Sequence, residues 1–241
     1  MTAAVLCETC GGTGLVPTPT GSRPCDCQAE ESRIARLRRA DFPPGYEKAT
    51  FETFRATPAS QDALTLLRSF VAAFIPGRAT DARRGVLMTG SVGTGKTHLA
   101  VATGRLLIDL RGISVRFVDC RQLYDRLKAT FDPQSGETQS QVLKPLLAAD
   151  LVVIDELGAV RPTDWVYEVT ELLIGTLYNN LAAVIVTTNF PNLSPGEGAS
   201  SYHHLRPVSL GDRIGARMWS RLQQMCVAVE IIGPDWRTVR R

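Results

Sequence analysis

The sequence predicts an α/β fold with a parallel sheet between helices, preceded by a small cysteine-bearing module. Three observations carry this expectation. Short apolar runs such as Leu151-Val152-Val153-Ile154 and Ala183-Val184-Ile185-Val186 alternate with stretches of helical periodicity. Strands that are apolar throughout are buried on both faces, as in a parallel sheet. A third run, Val86-Leu87-Met88-Thr89, leads into Gly90-Ser91-Val92-Gly93-Thr94-Gly95-Lys96-Thr97 and then into a helical pattern from Leu99 to Leu110. Finally, four of the 6 cysteines fall within residues 1–27.

The chain of 241 residues accommodates one ordinary domain and a small appendage, and 44% apolar content is ample for a core. We divide it into a module at 1–30, a linker at 31–58 and a main domain at 59–241. The net charge of +3 permits contact with nucleic acid without demanding it. No apolar run approaches the length of a membrane span, and the N-terminus lacks a charged-then-apolar signal pattern. The expected location is therefore cytoplasmic, where clustered cysteines point to metal and not to disulfides.

Cys7 and Cys10 form a C-x-x-C pair, and Cys25 and Cys27 a C-x-C pair. Gly11 and Gly12 permit the tight turn that brings two thiolates to one ion. Four thiolates make a closed tetrahedral site, the pattern of structural Zn²⁺. So short a segment has almost no core, so the metal would supply its folding energy. Two disulfides, an iron–sulfur site or free thiols are the competing readings. Cys120 and Cys226 stand apart in apolar or helical surroundings and read as packed structural residues.

Glu30 to Ala40 reads as a charged helix carrying Arg33, Arg36, Arg38 and Arg39, broken by Pro43-Pro44-Gly45. Phe42, Tyr46, Phe51 and Phe54 then make a linker aromatic enough to dock on the main domain. Ser60 can cap a helix with Leu64, Leu67, Phe70, Val71 and Phe74 inward. Ser114 to Val118 reads as a strand. Arg121 to Phe131 and Gln139 to Ala149 read as helices, and Leu151 to Glu156 as a buried strand. Asp164 to Asn180 is a helix with Trp165, Val169, Leu172, Leu173 and Leu177 on one side. Ala183 to Thr188 is a further buried strand, and residues 190–208 form a long loop. Ser209 to Gln224 reads as one helix, and Val227 to Ile232 as a last strand.

The strand–G-x-x-x-x-G-K-T–helix context is that of a phosphate loop. Its backbone N–H groups and the helix N-terminus behind them favour an anion. Lys96 would reach the β- and γ-phosphates of a nucleotide, and the Thr97 hydroxyl would sit on Mg²⁺. Asp155 and Glu156 end an apolar strand, where open α/β sheets bind ligands. Asp155 is placed to hold the Mg²⁺ shell and Glu156 to polarise the attacking water. Asn189 can orient that water or simply cap the exit turn of its strand. Arg213, Arg217 and Arg221 recur every four residues and would share one helix face. That face meets either a neighbouring subunit's nucleotide or solvent. Arg237 is a further candidate cation.

Taken together, these segments resemble the DnaC, DnaI and IstB group of AAA+ ATPases, the bacterial and phage helicase loaders and transposition helpers. The resemblance covers about residues 40–241. It rests on Gly-Ser-Val-Gly-Thr-Gly-Lys-Thr-His-Leu, Val-Ile-Asp-Glu-Leu-Gly, Thr-Thr-Asn, Gly-Ala-Arg-Met-Trp-Ser-Arg-Leu and Gly-Pro-Asp-Trp-Arg. It implies an ATPase in which Lys96 and Thr97 match Walker A, with His98 just behind. Asp155 and Glu156 match Walker B, and Asn189 matches sensor I. Arg221 matches the arginine finger, with Arg217 one turn away, and Arg237 matches sensor II. The helical pair at 120–149 corresponds to the extra helix used on single-stranded DNA, with Arg116, Arg121, Arg126 and Lys128 as its cations. Four residues follow Arg237, so the helical lid is expected to be nearly absent. The implied partners are a DnaB-type replicative helicase, single-stranded DNA and further copies of the chain in an ATP-dependent homo-oligomer. The alternative within the same superfamily is a transposition helper; a rival of another class is an ATP-switched adaptor without productive hydrolysis, against which an intact Glu156 argues. The cysteine module departs from the helical helicase-binding domain of the best-known loader. Its Cys-Gly-Gly-Thr-Gly segment resembles, over a few residues, the zinc knuckles of DnaJ-type chaperones.

Overall fold

The computed structural model describes residues 7–76, 84–132, 134–197 and 208–239. Leu15–Thr18 (β1) and Gly21–Pro24 (β2) pair as an antiparallel hairpin. All of β2 is exposed, so no apolar core holds this hairpin together. Asp26–Ala40 (α1) begins directly after Cys25, earlier than the expected start at Glu30. Cys27 therefore sits in the first turn of a helix whose last residue, Ala40, is fully buried in the main core.

The main sheet contains Gly85–Thr89 (β3), Val115–Asp119 (β4), Leu151–Asp155 (β5), Ala183–Thr187 (β6) and Cys226–Glu230 (β7). Its order is β4-β5-β6-β3-β7, with every neighbouring pair parallel. Every residue of β3 and β5 is buried, as their unbroken apolar character predicts. Alternate side chains feed two cores. Val86 and Met88 pack with Gln61–Ala73 (α2), Lys96–Arg111 (α3) and the end of α1. Leu87 packs with Cys120–Ala129 (α4), Gln139–Leu147 (α5), Asp164–Asn179 (α6), Leu210–Ile214 (α7) and Ala216–Met225 (α8). Each such buried side chain contributes about 1.5–3 kcal/mol of transfer free energy. This is the layering that brings the C-terminal ends of β3, β5 and β6 to one edge. No helix among the described residues is long and apolar enough to cross a membrane.

The aromatic linker docks as expected. Phe51 and Phe54 are buried, and Phe42 meets Phe117 edge-on with ring centroids 6.3 Å apart. Cys120 and Cys226 are buried in the core, also as expected. Four expectations are corrected. Ser60 does not cap α2 with its side chain; its hydroxyl completes the capping box of Thr57 on a preceding 3-10 turn. Leu172 of α6 is 47% exposed, because the buried stripe of that helix runs through Val166, Val169, Leu173 and Leu177. Ser209 to Gln224 is two helices, broken at Gly215 in an extended conformation with φ 84° that side chains rarely adopt. The β5 strand ends at Asp155, and Glu156 turns out of it with φ 55°. Of the long loop expected at 190–208, residues 198–207 lie outside the described residues.

Candidate nucleotide site and cysteine cluster

A cavity of about 680 Å³ opens at the C-terminal edge of the sheet. Its floor is the turn between β3 and α3. Gly95 takes φ 97°, and a Cβ there would stand 2.6 Å from the Phe54 ring. Only glycine fits both the backbone and the neighbour. The Thr94 hydroxyl donates to the Ser91 carbonyl at 3.0 Å, while Val92 is half-exposed at the rim. Lys96 is buried at the head of α3, and its Nζ donates to the Gly90 and Ser91 carbonyls at 2.8 and 2.6 Å. Burial lowers its ammonium to about 8; the Asp155 and Glu156 carboxylates oppose that shift, and Arg237 adds to it. A cation hydrogen-bonded to carbonyls at the head of a helix is built to meet an anion.

The two carboxylates are set by different devices. Thr97 donates its hydroxyl to Asp155 at 3.0 Å, and Thr187 donates to the same carboxylate at 2.6 Å. Burial raises the Asp155 carboxyl above its ordinary value, while these hydroxyls pull it back. A hydroxyl and a buried carboxylate converging in this way are the donor set of Mg²⁺. Glu156 cannot use strand pairing to hold its strained backbone. Its N–H instead donates to the Thr187 hydroxyl at 3.0 Å. Thr187 therefore braces the Asp155 carboxylate and the Glu156 backbone, a role that sequence reasoning missed because a threonine ending a strand reads as ordinary β propensity.

Asn189 lines the same cavity and is exposed to it. Tyr46, Phe54, Arg55, Trp236 and Arg237 also line the cavity. The Arg55 guanidinium lies 5.4 Å from the centre of the Trp236 ring. Trp236 is tied down by its backbone N–H, which donates to the Gly93 carbonyl at 3.1 Å. The sequence marks Tyr46 and Phe54 only as linker aromatics and Trp236 only as part of a terminal motif; Arg237 is the candidate cation expected there, and Arg55 was missed. His98 also lines the cavity, and its Nε2 lies 2.8 Å from the Thr50 carbonyl, which binds the linker to α3.

The thiol groups of Cys7, Cys10, Cys25 and Cys27 lie within 4.8 Å of one another. Cys7 and Cys25 sulfurs are 3.8 Å apart, and those of Cys10 and Cys27 3.5 Å. Sulfurs bound to one tetrahedral Zn²⁺ at about 2.3 Å stand roughly 3.8 Å apart, so the spacing fits that ion. Backbone N–H groups of Cys10 and Thr9 lower the Cys7 thiol to about 6, whereas Cys27, facing Cys25 and Cys10, is raised.

A family model described as "IstB-like ATP binding protein" matches residues 28–203. The chain belongs to this family. Its architecture is also that of a solved DnaC helicase loader, at 31% identity and a TM-score of 0.64 over 79% of this chain and 100% of that one. The replicative helicase loader DnaC of Escherichia coli (strain K12) is 35% identical over 133 residues, 53% of this chain and 51% of that protein. The chain thus matches about half the length of that relative. DnaI shares the fold, with a TM-score of 0.62 at 21% identity. The IstB-like chain is accordingly an AAA+ P-loop protein of a nucleotide-binding family.

Against this family frame the remaining arginines separate. Arg237 lines the nucleotide cavity. Arg221 does not; its guanidinium lies 5.3 Å from the centre of the Tyr178 ring on α6. Arg217 pairs with Glu171 at 2.6 Å, and Arg213 turns inward to the Gly158 carbonyl at 2.6 Å. The three do not share one face, because Gly215 interrupts the helix between the first and the others. The expected DNA-facing cations also differ. Arg116 lies on β4 and donates to the Arg39 carbonyl, so it is not part of the helical pair. Arg126 is forked onto Glu137, with Nε to Oε2 at 2.9 Å. Arg121 and Lys128 are exposed on α4.

Proposed function

We propose that this chain is an ATP-dependent loader of a DnaB-type replicative helicase that acts on single-stranded DNA. The observation that carries the reading is the 31% identity with the DnaC helicase loader across the whole of that chain, joined to a cavity lined by Lys96, Thr97, Glu156, Asn189 and Arg237. In it Lys96 and the loop N–H groups bind the phosphates of ATP, and Thr97 and Asp155 hold Mg²⁺, which supplies charge compensation when bound. Glu156 orients and polarises water, Asn189 orients it from the bend after β6, and Arg237 adds a cation from the cavity lining. Arg221 serves the site of a neighbouring copy in a homo-oligomer. Arg121 and Lys128 supply cations for the strand.

The test is transfer of a purified DnaB-type helicase onto covalently closed, single-stranded circular DNA. Loading is expected with the parent chain and ATP, and none with Lys96→Ala. Capture of a transposase in place of the helicase would move the protein to the transposition helpers, which the IstB-like match also favours.

The four thiols hold one Zn²⁺, whose binding supplies the folding energy that the exposed hairpin cannot. Metal analysis should find about one zinc per chain, as a single four-thiolate site requires. Cys25→Ser should release it and unfold residues 7–25 while the thermal transition of the main domain persists. Protein that carries iron, or no metal, would exclude zinc.

A further inference from the structure

We propose that Arg213 is a positioning residue that ties the two loops leaving the nucleotide site to the helices carrying Arg221. The inference rests on the ATPase reading above. Its first support is the turn that begins at Glu156. That turn is closed by the Ala159 N–H on the Glu156 carbonyl at 3.0 Å. Its outer carbonyls then point at Arg213. Nε donates to Gly158 at 2.6 Å, and Nη2 donates to Ala159 at 3.2 Å and to Val160 at 2.6 Å. The second support is Phe190, the residue after Asn189, whose ring centre lies 4.9 Å from the guanidinium. One planar group thus holds the segment behind the water-polarising carboxylate and the segment behind the water-orienting amide.

The approach is tight. A Cβ on Gly158 would stand 3.0 Å from Arg213 Cβ and 3.3 Å from the Phe190 ring. Among the described residues no carboxylate pairs with Arg213, so the interaction is directional and not a simple charge pair. On its other side Arg213 belongs to α7, which is anchored by the Tyr167 hydroxyl on the Asp212 carbonyl at 3.1 Å. Gly215 then joins α7 to α8 and Arg221. The side chain lines no part of the nucleotide cavity, so its influence runs through the turn and the helices. A movement of the Glu156 turn on nucleotide binding changes the acceptors of Arg213 and so shifts α7 and α8. The coupling so proposed runs in both directions between the site and these helices.

Arg213→Lys keeps the charge but cannot span three carbonyls. We expect its ATP affinity to stay within about twofold of the parent while hydrolysis falls about tenfold or more, the range of ordinary site-to-site coupling. Adding it to Arg221→Ala should give no further loss, since both act on one step. Hydrogen exchange gives a readout independent of turnover. In a Glu156→Gln background, ATP should alter amide protection across residues 210–222, and Arg213→Lys should remove that response. Phe190→Leu should weaken both readouts in the same direction and carries the test if Arg213→Lys does not fold. Parent-level hydrolysis, fully multiplicative losses with Arg221→Ala, an unchanged exchange response, or a parallel loss of ATP affinity would each overturn the proposal. If Arg221→Ala itself hydrolyses at the parent rate, the interface reading fails instead, and the exchange response still judges Arg213.

Discussion

Glu156→Gln is expected to bind ATP within a few-fold of the parent and to hydrolyse it about 10²–10⁴-fold more slowly, the usual contribution of a general base. The amide keeps the size and the backbone of the carboxylate but cannot take a proton from water. The backbone at this position is already strained, with φ 55°, at a cost on the order of 1–2 kcal/mol for a side chain in that region. What offsets that strain is the hydrogen bond from the Glu156 N–H to Thr187. The same loss of activity should therefore be reachable without touching either carboxylate. Thr187→Val preserves shape, leaves the Glu156 N–H without its acceptor and removes a donor from Asp155. Thr187→Ser restores both. Hydrolysis should fall with valine and recover with serine, and the valine variant should need more Mg²⁺ for half-maximal ATP turnover. Equal Mg²⁺ dependence in the two variants would reduce Thr187 to a packing residue. Hydrolysis by Glu156→Gln at the parent rate would take the base elsewhere.

Much of this site could be read in the sequence because it is built from local rules. The phosphate loop is continuous in the chain, and β3, β5 and β6 are buried on both faces, so their composition is unambiguous. The cysteine pairs also converge on one point. What stayed hidden depends on distant partners. Tyr46, Arg55 and Trp236 come to line one cavity only when the linker and the C-terminal end of the main domain meet over the loop. Thr187 acquires its role from β5, which lies beside it in the sheet but far from it in sequence. The helical spacing of Arg213, Arg217 and Arg221 misled, because periodicity assumes an unbroken helix and one glycine in an extended conformation rotates everything after it. The β1–β2 hairpin is too short and too exposed to leave a pattern.

Arg221→Ala is expected to bind ATP as the parent does and to lose about 10³–10⁵ of its hydrolysis rate, the worth of an arginine finger. The surroundings favour this residue over Arg217. Arg217 is compensated by Glu171 at 2.6 Å, so recruiting it would first mean breaking that pair. Arg221 rests on the face of Tyr178, 5.3 Å from its centre. A ring face holds a guanidinium in place without neutralising it, so the charge remains available to an anion. Arg221 does not line the cavity of its own chain, so under the proposed finger role the phosphate it would meet belongs to another copy. Complementation follows from that geometry. Lys96→Ala alone cannot bind the phosphates, and Arg221→Ala alone cannot complete a neighbour's site. A mixture of the two contains interfaces at which an intact Lys96 pocket faces an intact Arg221, so hydrolysis should return in part and rise with protein concentration. Arg217→Ala in the same assay should retain activity. No recovery on mixing, or loss of hydrolysis with Arg217→Ala alone, would assign the finger to Arg217 or return it to a group acting within the chain.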